Sequence, residues 1–355
     1  MKLLITGARG FIGSSFINLL CREGLGQERA ERAESDWPPM VENKTGMDTS
    51  GWQLIGFCRD TIHWTQERLF NKTTQPCIDS GHLKIINGDL NHDISGLCEG
   101  VDVVINFAAK TFVDHSIRDP EPFVKSNVLG THKLIEESRK QGVRTFIQIS
   151  TDEVYGTIDE GFFDEESPIK PRNPYAASKA AADALVMAYS STYGMKTCIT
   201  RTENNYGPLQ HPQKAIPVFI GKMLKREPIP IYGDGLHVRQ WLYVEDHVWA
   251  LLFLIKHLAD NTIKSGEVFH IAGNEEVTNK DLVYHVSKAM GIEGQAMRFQ
   301  HIDEETVRPG HDRRYAISSD KIRSSTKWRA EVGLTDGLKS TVEWYKNNIN
   351  WIRGV

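Results

Sequence analysis

Short apolar runs alternate with amphipathic stretches through the first two hundred residues of the chain. The runs have the length of buried strands, and the stretches between them carry apolar residues at helical spacing. This alternation predicts an α/β fold with a parallel sheet and helices on both faces, whose ligand site lies outside the carboxyl ends of the strands. The predicted strands are 2–6, 53–57, 83–87, 101–107, 145–150 and 196–200, and the predicted helices are 11–21, 123–140 and 175–193.

Two segments depart from this alternation of predicted strands and helices. Residues 23–51 are charged and rich in Gly, Pro, Asn and Ser where a short loop is usual. They predict a mobile surface insertion, and a lid or partner-binding role is the alternative.

After about residue 205 the alternation of strands and helices becomes less regular, and the prolines between 208 and 230 exclude a long regular helix. We predict a dinucleotide-binding domain over 1–205 and a smaller, mainly substrate-binding lobe over 206–355, some of whose segments can return to the first domain.

Composition and charge narrow the class of protein. The 355 residues can bury one large core or two coupled ones, and a net charge of −4 with scattered basic residues does not indicate a nucleic-acid surface. No apolar run approaches the ~20 residues that span a bilayer, and the first predicted strand leaves no room for a signal peptide. The cysteines are five, widely spaced and without a C-x-x-C pair. We therefore expect neither a metal site nor disulfides, and a cytoplasmic location.

Three glycines follow the first predicted strand and open the first helix. Gly7 permits a tight turn, Gly10 lets the backbone approach a pyrophosphate, and Gly13 allows the helix to pack closely on the strand. The N–H groups of the helix start, from Phe11 and Ile12 onward, can bind phosphate oxygens. This G-x-x-G-x-x-G spacing, between a strand and a helix, predicts a dinucleotide site.

Residues after the later strands extend this predicted cofactor site. Asp89, followed by Leu90, comes after the third strand and can bond the adenine edge, or can instead cap a helix. Ala108 and Ala109 follow the fourth strand, where small side chains avoid a clash with the cofactor.

The end of the second strand bears on the choice between NAD and NADP. Folds specific for NAD usually place an acid there for the ribose hydroxyls. Here Cys58 holds that position and Arg59 follows, so a 2′-phosphate can pair with the guanidinium, which slightly favours NADP. Asp60 can still reach the ribose if the strand ends later.

A tyrosine and a lysine stand one helical turn apart. Tyr175 and Lys179 lie at i and i+4 of a helix that Pro174 can begin. A tyrosine acts as a base only after losing its proton, and its ordinary pKa is about 10. We predict that the Lys179 cation and a positive nicotinamide ring together stabilise the phenolate, an effect of about 4 kcal/mol.

Thr151, Asp152 and Glu153 follow directly after the fifth predicted strand. The Thr151 hydroxyl can bond the oxygen that is oxidised. Two consecutive carboxyls at the tip of a sheet supply a proton acceptor and a proton donor, which the elimination of water requires. The alternative is an acid pair that caps a turn.

These residues together resemble the dTDP-glucose 4,6-dehydratase family of extended short-chain dehydrogenases. The similarity runs through nearly the whole chain, except for residues 23–51 and the C-terminus, which ends soon after Trp351. The Thr-Asp-Glu triplet is the most discriminating motif, because related epimerases lack the acids, and decarboxylases and GDP-mannose dehydratases tend to keep only the glutamate. The further matching motifs are residues 204–208, 232–235, 241–247 and 308–315.

The resemblance implies a Rossmann-like doubly wound sheet and an NDP-sugar 4,6-dehydratase with a tightly bound NAD(P). Tyr175 would take the 4-hydroxyl proton, Glu153 the C5 proton, and Asp152 would protonate the leaving 6-hydroxyl. The product would be an NDP-4-keto-6-deoxy sugar. It also implies a homodimer through a four-helix interface of helices 123–140 and 175–193.

The resemblance further implies ligand contacts by single residues. Ser126 and Asn205 would lie by the cofactor. Arg239 and Arg308 would bind the diphosphate, because guanidinium groups match phosphate oxygens; either arginine can instead be a surface ion-pair partner, and His311 can be a packing residue. The implied nucleotide-sugar ligands are Thr111, Asn204, Lys214, Tyr232, Arg239, Asn279, Arg308 and His311.

Two departures from the family leave the base and the sugar open between dTDP-glucose and a UDP-sugar. Lys110 stands where the family usually has glutamate, and residues 200–203 are Thr-Arg-Thr-Glu where smaller, uncharged residues are expected at some positions. An epimerase or decarboxylase on the same fold is the alternative enzyme, disfavoured by Asp152. An inactive cofactor-binding sensor or scaffold is the alternative from another class, disfavoured by Tyr175 and Lys179.

Overall fold

The structure is a computed structural model that describes residues 1–24, 45–59, 67–292 and 297–353. Its centre is a sheet of seven parallel strands, in agreement with the predicted α/β class and Rossmann-like doubly wound sheet. The strands are β1 Lys2–Thr6, β2 Gln53–Cys58, β3 Leu83–Asn87, β4 Val103–Asn106, β5 Thr145–Thr151, β6 Thr197–Thr202 and β10 Glu267–Ile271.

The strand order is β10-β6-β5-β4-β1-β2-β3, so the direction of winding reverses between β1 and β4. Ligands of such sheets bind at this reversal, outside the carboxyl ends of the strands. The strands β1, β4, β5 and β6 are almost wholly buried, as expected for a parallel sheet covered on both faces, whereas the edge strand β3 is partly exposed. β10, from the C-terminal half of the chain, pairs with β6 and extends the same sheet.

Helices cover the sheet and build a second lobe. They are α1 Phe11–Arg22, α2 Gln75–Asp79, α3 Val113–Arg118, α4 Glu121–Phe123, α5 Gly130–Lys140, α6 Pro174–Tyr193, α7 Ala215–Lys225, α8 Val244–Ala259, α9 Asn279–Met290, α10 Glu304–Val307, α11 Asp320–Thr326, α12 Leu334–Asn347 and α13 Asn350–Arg353. None of the helices in the described ranges is both long and apolar enough to cross a bilayer.

The predicted helix 123–140 is interrupted by a π-helical turn, Val124–Leu129, between α4 and α5. Within it Asn127 is buried, and its side chain bonds both the N–H and the C=O of Lys110 at 2.8 and 3.0 Å. Asn127 Nδ2 also donates to Ser178 Oγ on α6 at 2.9 Å. The wider turn thus fixes the loop after β4 against α6, beside the carboxyl edge of the sheet.

The second lobe has its own apolar core, formed mainly by α7, α9 and α12. It contains two small sheets whose strands are β7 Asn204–Tyr206, β8 Ile229–Tyr232, β9 Val238–Tyr243, β11 Glu276–Thr278 and β12 Phe299–Ile302. The proline-rich segment of this lobe contains a helix of 11 residues, α7, with Pro217 as its third residue. A proline is tolerated there because the first-turn N–H groups have no acceptor within the helix.

Most of the predicted insertion, residues 25–44, lies outside the described residues. At its described end Thr45 and Thr49 are buried. Lys256 on α8 donates from Nζ to Thr45 O at 2.8 Å. This end of the insertion is therefore packed against the main domain.

Candidate active site

A cavity of about 590 Å³ lies at the carboxyl ends of β4, β5 and β6 and extends to the start of α1. We call two of its sides the sheet wall and the lobe wall. The sheet wall consists of Thr151, Asp152, Glu153, Tyr175, Lys179 and Glu203, and the lobe wall of Lys214, Tyr232, Arg239, Arg308 and His311. Further predicted site residues that line the cavity are Gly10, Phe11, Ile12, Gly13, Ala109, Thr111, Asn204, Asn205 and Asn279.

The glycine loop between β1 and α1 has the shape that a dinucleotide needs. Gly7 has a positive φ of 65°, and a Cβ there would lie 2.8 Å from Ala108 N. A Cβ on Gly10 or Gly13 would lie 2.9 or 2.7 Å from Gly7 O, so the loop closes this tightly only with glycine. No side chain caps the start of α1, which leaves its first N–H groups for phosphate oxygens. These residues fit a nicotinamide dinucleotide.

The other predicted cofactor residues lie along the sheet edge, outside the residues that line the cavity. Asp89 Oδ1 accepts hydrogen bonds from Asn91 N and Nδ2 at 2.9 and 2.8 Å, so it caps a turn. Its Oδ2 lies 3.9 Å from Arg59 Nη1, at the end of β2. Leu90 is buried, and Ser126 lies in the π-helical turn. Asp60 lies outside the described residues.

The local sequence sets where α6 begins. The helix begins at Pro174, as predicted, because Asn173 Oδ1 caps it by accepting a hydrogen bond from Ala176 N at 2.8 Å. This start brings Tyr175 and Lys179 onto the cavity side of α6, where both are buried.

The electrostatics of this pair differ from the sequence-based prediction. Lys179 Nζ donates to Ile149 O at 2.5 Å, and burial lowers the pKa of Lys179 to about 8, while Asp183 acts in the opposite sense. Burial also raises the pKa of Tyr175 well above its usual value, and Glu153 adds to the increase. The expected lowering of the Tyr175 pKa is therefore not produced by the protein alone, because the phenol is fully buried beside carboxyl groups.

The triplet at the end of β5 forms the centre of the sheet wall. It begins a 3-10 turn, Asp152–Tyr155, that Thr151 caps: Thr151 Oγ1 accepts from Glu153 N at 3.3 Å and donates to Asp152 Oδ1 at 3.1 Å. Asp152 is 2% exposed, and its Oδ2 has no hydrogen-bond partner among the described residues. Burial, and then the charge of Glu153, raises the pKa of Asp152 well above its usual value. Burial therefore favours the protonated form of Asp152, which is the form that a proton donor needs.

Arg201, one of the departures from the family pattern, is buried below the cavity and is not among the residues that line it. Its Nε lies 3.0 Å from Asp183 Oδ2, and its Nη1 donates to Tyr155 OH at 2.6 Å. Ser150 Oγ also donates to Asp183, at 2.9 Å. This arginine supports the helix that carries Lys179 and leaves the cavity surface unchanged.

The two arginines of the lobe wall are held differently. Arg239 is 5% exposed and donates to the carbonyls of Val238 and Asp312 at 2.7 and 2.8 Å, so its guanidinium is rigidly placed. Arg308 is more exposed, and its Nε lies 3.3 Å from Asp114 Oδ1. Two guanidinium groups on one wall give a cationic surface suited to a diphosphate.

His311 lies between Arg239 and a second histidine. Arg239 Nη2 lies 3.0 Å from His311 Nε2, and the His311 ring stacks on His237 with 4.2 Å between centroids. Burial and the surrounding arginines lower the pKa of His311, so its ring is neutral. Glu304 Oε2 lies 4.0 Å from His311 Nδ1. The possible ligand atoms of His237, Glu304 and His311 lie as close together as those of a metal site. The stacked rings and the adjacent Arg239 guanidinium disfavour a cation there.

The remaining predicted substrate residues surround the same wall. Lys214 Nζ donates to Thr111 O at 3.3 Å, and Tyr232 OH donates to Asp114 at 2.9 Å. Lys110, the other departure from the family, is not among the residues that line the cavity.

Asn205 already uses both polar atoms of its side chain within the protein. Its Nδ2 donates to Thr202 Oγ1 at 3.1 Å, and its Oδ1 lies 2.9 Å from His247 Nδ1. Asn204 Nδ2 donates to Gln240 O at 3.4 Å.

Sequence reasoning assigned no site role to many residues that line the cavity, and three of them bear on its chemistry. Asp114 pairs with Arg308 and Tyr232, Tyr315 packs its ring 4.1 Å from the Arg239 guanidinium carbon, and Glu203 was read only as a departure from the family. Tyr315 is the last residue of the matched motif 308–315, so its position was detectable, whereas Asp114 lies in no matched motif. Glu203 was not detectable, because its place depends on the register between β5 and β6.

Comparisons with known proteins agree with this geometry. The family model described as GDP-mannose 4,6 dehydratase matches residues 47–341. The dTDP-glucose 4,6-dehydratase of Streptomyces niveus is 37% identical over 99% of this chain and 94% of its own length. The crystal structure of DesIV, a dTDP-glucose 4,6-dehydratase from Streptomyces venezuelae with NAD bound, is 35% identical with a TM-score of 0.82 and covers 99% of this chain and 98% of its own.

A further solved structure shows the fold alone. The UDP-glucuronic acid 4-epimerase of Bacillus cereus has a TM-score of 0.82 over 98% of this chain and 100% of its own, at 24% identity. Since an epimerase and a dehydratase share this fold, the reaction has to be argued from the site residues.

Proposed function

The chain belongs to the dTDP-glucose 4,6-dehydratase family, and from this premise we propose that it converts an NDP-hexose, dTDP-glucose first, into the NDP-4-keto-6-deoxy sugar and water. The observation that carries the proposal is the sheet wall, where Asp152 lies beside Glu153 and Tyr175 and burial favours its protonated form. A 4-epimerase needs no proton donor for a leaving hydroxyl, and a decarboxylase has to protonate C5 and not a 6-hydroxyl.

Tyr175 is proposed as the base that takes the proton of the sugar 4-hydroxyl, with the Thr151 hydroxyl orienting that oxygen. The buried phenol holds its own proton until cations compensate its charge. Lys179 supplies one cation, since its pKa of about 8 leaves it mostly charged at neutral pH. The protonated state of Asp152 helps as well, because it removes a negative charge from the vicinity of the phenolate.

Glu153 is proposed to abstract the proton from C5 once C4 is a ketone. Asn173 Nδ2 donates to Glu153 Oε2 at 3.3 Å and orients the carboxylate. Asp152 then protonates the departing 6-hydroxyl, which leaves as water. The pair divides the work of elimination between one base and one acid on consecutive residues.

A nicotinamide cofactor is proposed to lie along Gly7, Gly10 and Gly13. When bound, it would accept a hydride from C4 of the sugar and return it to C6. The loop would hold the pyrophosphate, and Asp89 Oδ2 would remain for the adenosine half. Solved relatives that contain NAD support the nicotinamide assignment.

A preference for NADP stays a prediction that rests on Arg59. The guanidinium can leave Asp89, 3.9 Å away, for a 2′-phosphate. The cofactor released on denaturing the purified protein should be NADP, and Arg59→Ala should weaken binding of NADP while leaving that of NAD unchanged. Release of NAD alone would reject the preference.

The lobe wall is proposed to bind the diphosphate through Arg239 and Arg308, with His311 holding Arg239. Lys214 and Tyr232 add a cation and a phenol on the same side of the cavity. The base is proposed to be thymine, with uracil as the alternative.

A homodimer is proposed to form through α5 and α6. Large apolar side chains are exposed on and beside these helices: Val124 and Leu129 in the π-helical turn, and Met187 and Tyr193 on α6. Light scattering should give twice the mass of one chain, and a particle of one chain's mass would reject the dimer.

The cytoplasmic location stays a prediction, supported by five cysteines that form no disulfide.

The function is tested by incubating the purified protein with dTDP-glucose, UDP-glucose and GDP-mannose separately. Mass spectrometry should show that dTDP-glucose loses the mass of one water. An unchanged mass with altered stereochemistry would indicate an epimerase. Binding of cofactor and nucleotide sugar without any product would indicate a sensor.

A further inference from the structure

Glu203 lies next to the proton donor because of the register of two strands. Thr151 at the end of β5 is paired with Thr202 at the end of β6. The next residue of each strand, Asp152 and Glu203, therefore lies at the same edge of the sheet on strands about 4.8 Å apart. Both side chains line the cavity, and both are nearly inaccessible to solvent, at 2% and 4% exposure.

The surroundings of Glu203 disfavour its charged form and leave one of its oxygens without a hydrogen bond. Its Oε1 accepts the Gly273 N–H at 2.6 Å, and its Oε2 is buried without a hydrogen-bond partner among the described residues. Burial raises the pKa of Glu203 well above its usual value; of the charged groups that face it, Asp152 and Glu276 add to this and Arg323 opposes it. Burial therefore favours the protonated form of Glu203, as it does for Asp152.

A structural role leaves this arrangement unexplained. A neutral acceptor would satisfy the Gly273 N–H equally well, whereas an unpartnered buried oxygen costs roughly 1–3 kcal/mol. The free oxygens of Asp152 and Glu203 instead give the sheet wall two adjacent acids, each with one unbonded oxygen. The two oxygens do not bond each other, so a proton passes between the acids only through a water that bonds both.

The proposed reaction needs a proton at this place. Glu153 takes one proton from C5 and returns it there, and Tyr175 takes one from O4. Asp152 loses one to O6 as the C6–O6 bond breaks and water leaves. Each turnover thus leaves Asp152 one proton short, with a new negative charge in a buried region of the cavity.

We propose that Glu203 passes its proton to Asp152, through a water that bonds both carboxyls, as Asp152 protonates the leaving 6-hydroxyl, an inference that rests on the proposed dehydratase function. The proton leaves the Glu203 carboxyl and the electron pair of that O–H bond stays on Glu203. The negative charge then lies beside the Gly273 N–H and Arg323. Glu203 acts through Asp152 and does not touch the sugar.

Glu203 can regain its proton from solvent by a short route. Gly273 belongs to the loop between β10 and β11, and the next residue, Asn274, is exposed. Arg323 Nη2 donates to Asn274 Oδ1 at 2.7 Å, and Arg323 is itself partly exposed. A proton from solvent at this loop restores Glu203, and the proton that Tyr175 releases to solvent closes the balance.

The test compares wild type with Glu203→Gln, which keeps an oxygen for the Gly273 N–H but has no acidic proton. We expect kcat for water loss from dTDP-glucose to fall about 10- to 100-fold, within the range of general acid catalysis, with KM within twofold. A proton inventory, kcat against the deuterium fraction of the solvent, should be curved for wild type and linear for the variant. Glu203→Asp keeps an acid and should retain the curvature.

The matched control is Glu275→Gln, an exposed carboxyl in the same loop whose bond to Leu334 N a glutamine can keep. It should leave kcat and the curved inventory unchanged. A Glu203→Gln enzyme with wild-type kcat, or with lowered kcat and an unchanged curved inventory, would overturn the proposal. Wild-type protein that removes no water from any NDP-hexose would instead overturn the proposed function, and this inference with it.

Discussion

On the sheet wall, Asp152 and Tyr175 are buried with few compensating charges, and burial favours the protonated form of both. On the lobe wall, backbone carbonyls hold the guanidinium of Arg239, and Asp114 lies beside that of Arg308. The sheet wall therefore provides groups that can transfer protons, whereas the lobe wall provides guanidinium groups that can bind a diphosphate. Variants of the sheet wall should therefore change kcat, and variants of the lobe wall should change KM.

The largest effect should come from Asp152→Asn, which keeps the shape of the side chain but cannot donate the proton to the leaving hydroxyl. Steady-state assays of water loss from dTDP-glucose should show kcat lower by about 10²–10⁴-fold, with little change in KM. The thermal midpoint of unfolding should not fall, because a buried acid is replaced by a neutral amide. A drop of less than tenfold would remove Asp152 from the role of proton donor.

The next effect should come from Arg308→Ala on the other wall. Hydrogen bonds to charged groups contribute about 1.5–3 kcal/mol, so KM should rise roughly 10- to 150-fold. Arg308→Lys should recover some of this loss, because it restores charge without the guanidinium fork. If kcat falls while KM stays constant, the assignment of this wall to binding is wrong.

A pH profile should separate the walls without any substitution. Lys179, with a folded pKa of about 8, is charged below that pH and loses its proton as the pH rises through it. Activity limited by Tyr175 should decline above about pH 8, while KM stays nearly level because arginines do not titrate there. A flat kcat up to about pH 10, the ordinary range of a tyrosine, or a decline that occurs only in KM, would contradict this division.

The smallest effect should come from Tyr232→Phe, which removes the bond from the phenol to Asp114. A neutral donor of this kind contributes about 0.5–1.5 kcal/mol. KM should therefore rise by about two- to tenfold, and kcat should not change. A larger loss in kcat would place Tyr232 near the reacting atoms.

The sheet wall was largely predictable from the sequence, and the lobe wall was not. Thr151 to Glu153 follow a strand, and Tyr175 and Lys179 lie one turn apart, so their local periodicity is enough to bring them to one edge. Arg239 and Arg308 could be named only by resemblance, because short strands and loops with no periodic pattern position them.

The burial of the site residues could not be predicted from the sequence either. The prediction for Tyr175 counted the Lys179 cation but not the loss of solvent around the phenol. The sequence analysis identified Glu203 only as a departure from the family pattern. The pairing of Thr151 with Thr202 in the structure places it beside Asp152. Such registers depend on tertiary packing and have no signature in one chain.

The central claim, that the sheet wall eliminates water between oxidation at C4 and reduction at C6, is tested most directly with dTDP-glucose that carries deuterium at C4. After incubation with the purified protein, mass spectrometry and NMR should find a product that has lost one water and carries the deuterium at C6. Deuterium found again at C4 of a sugar of unchanged mass would contradict the claim.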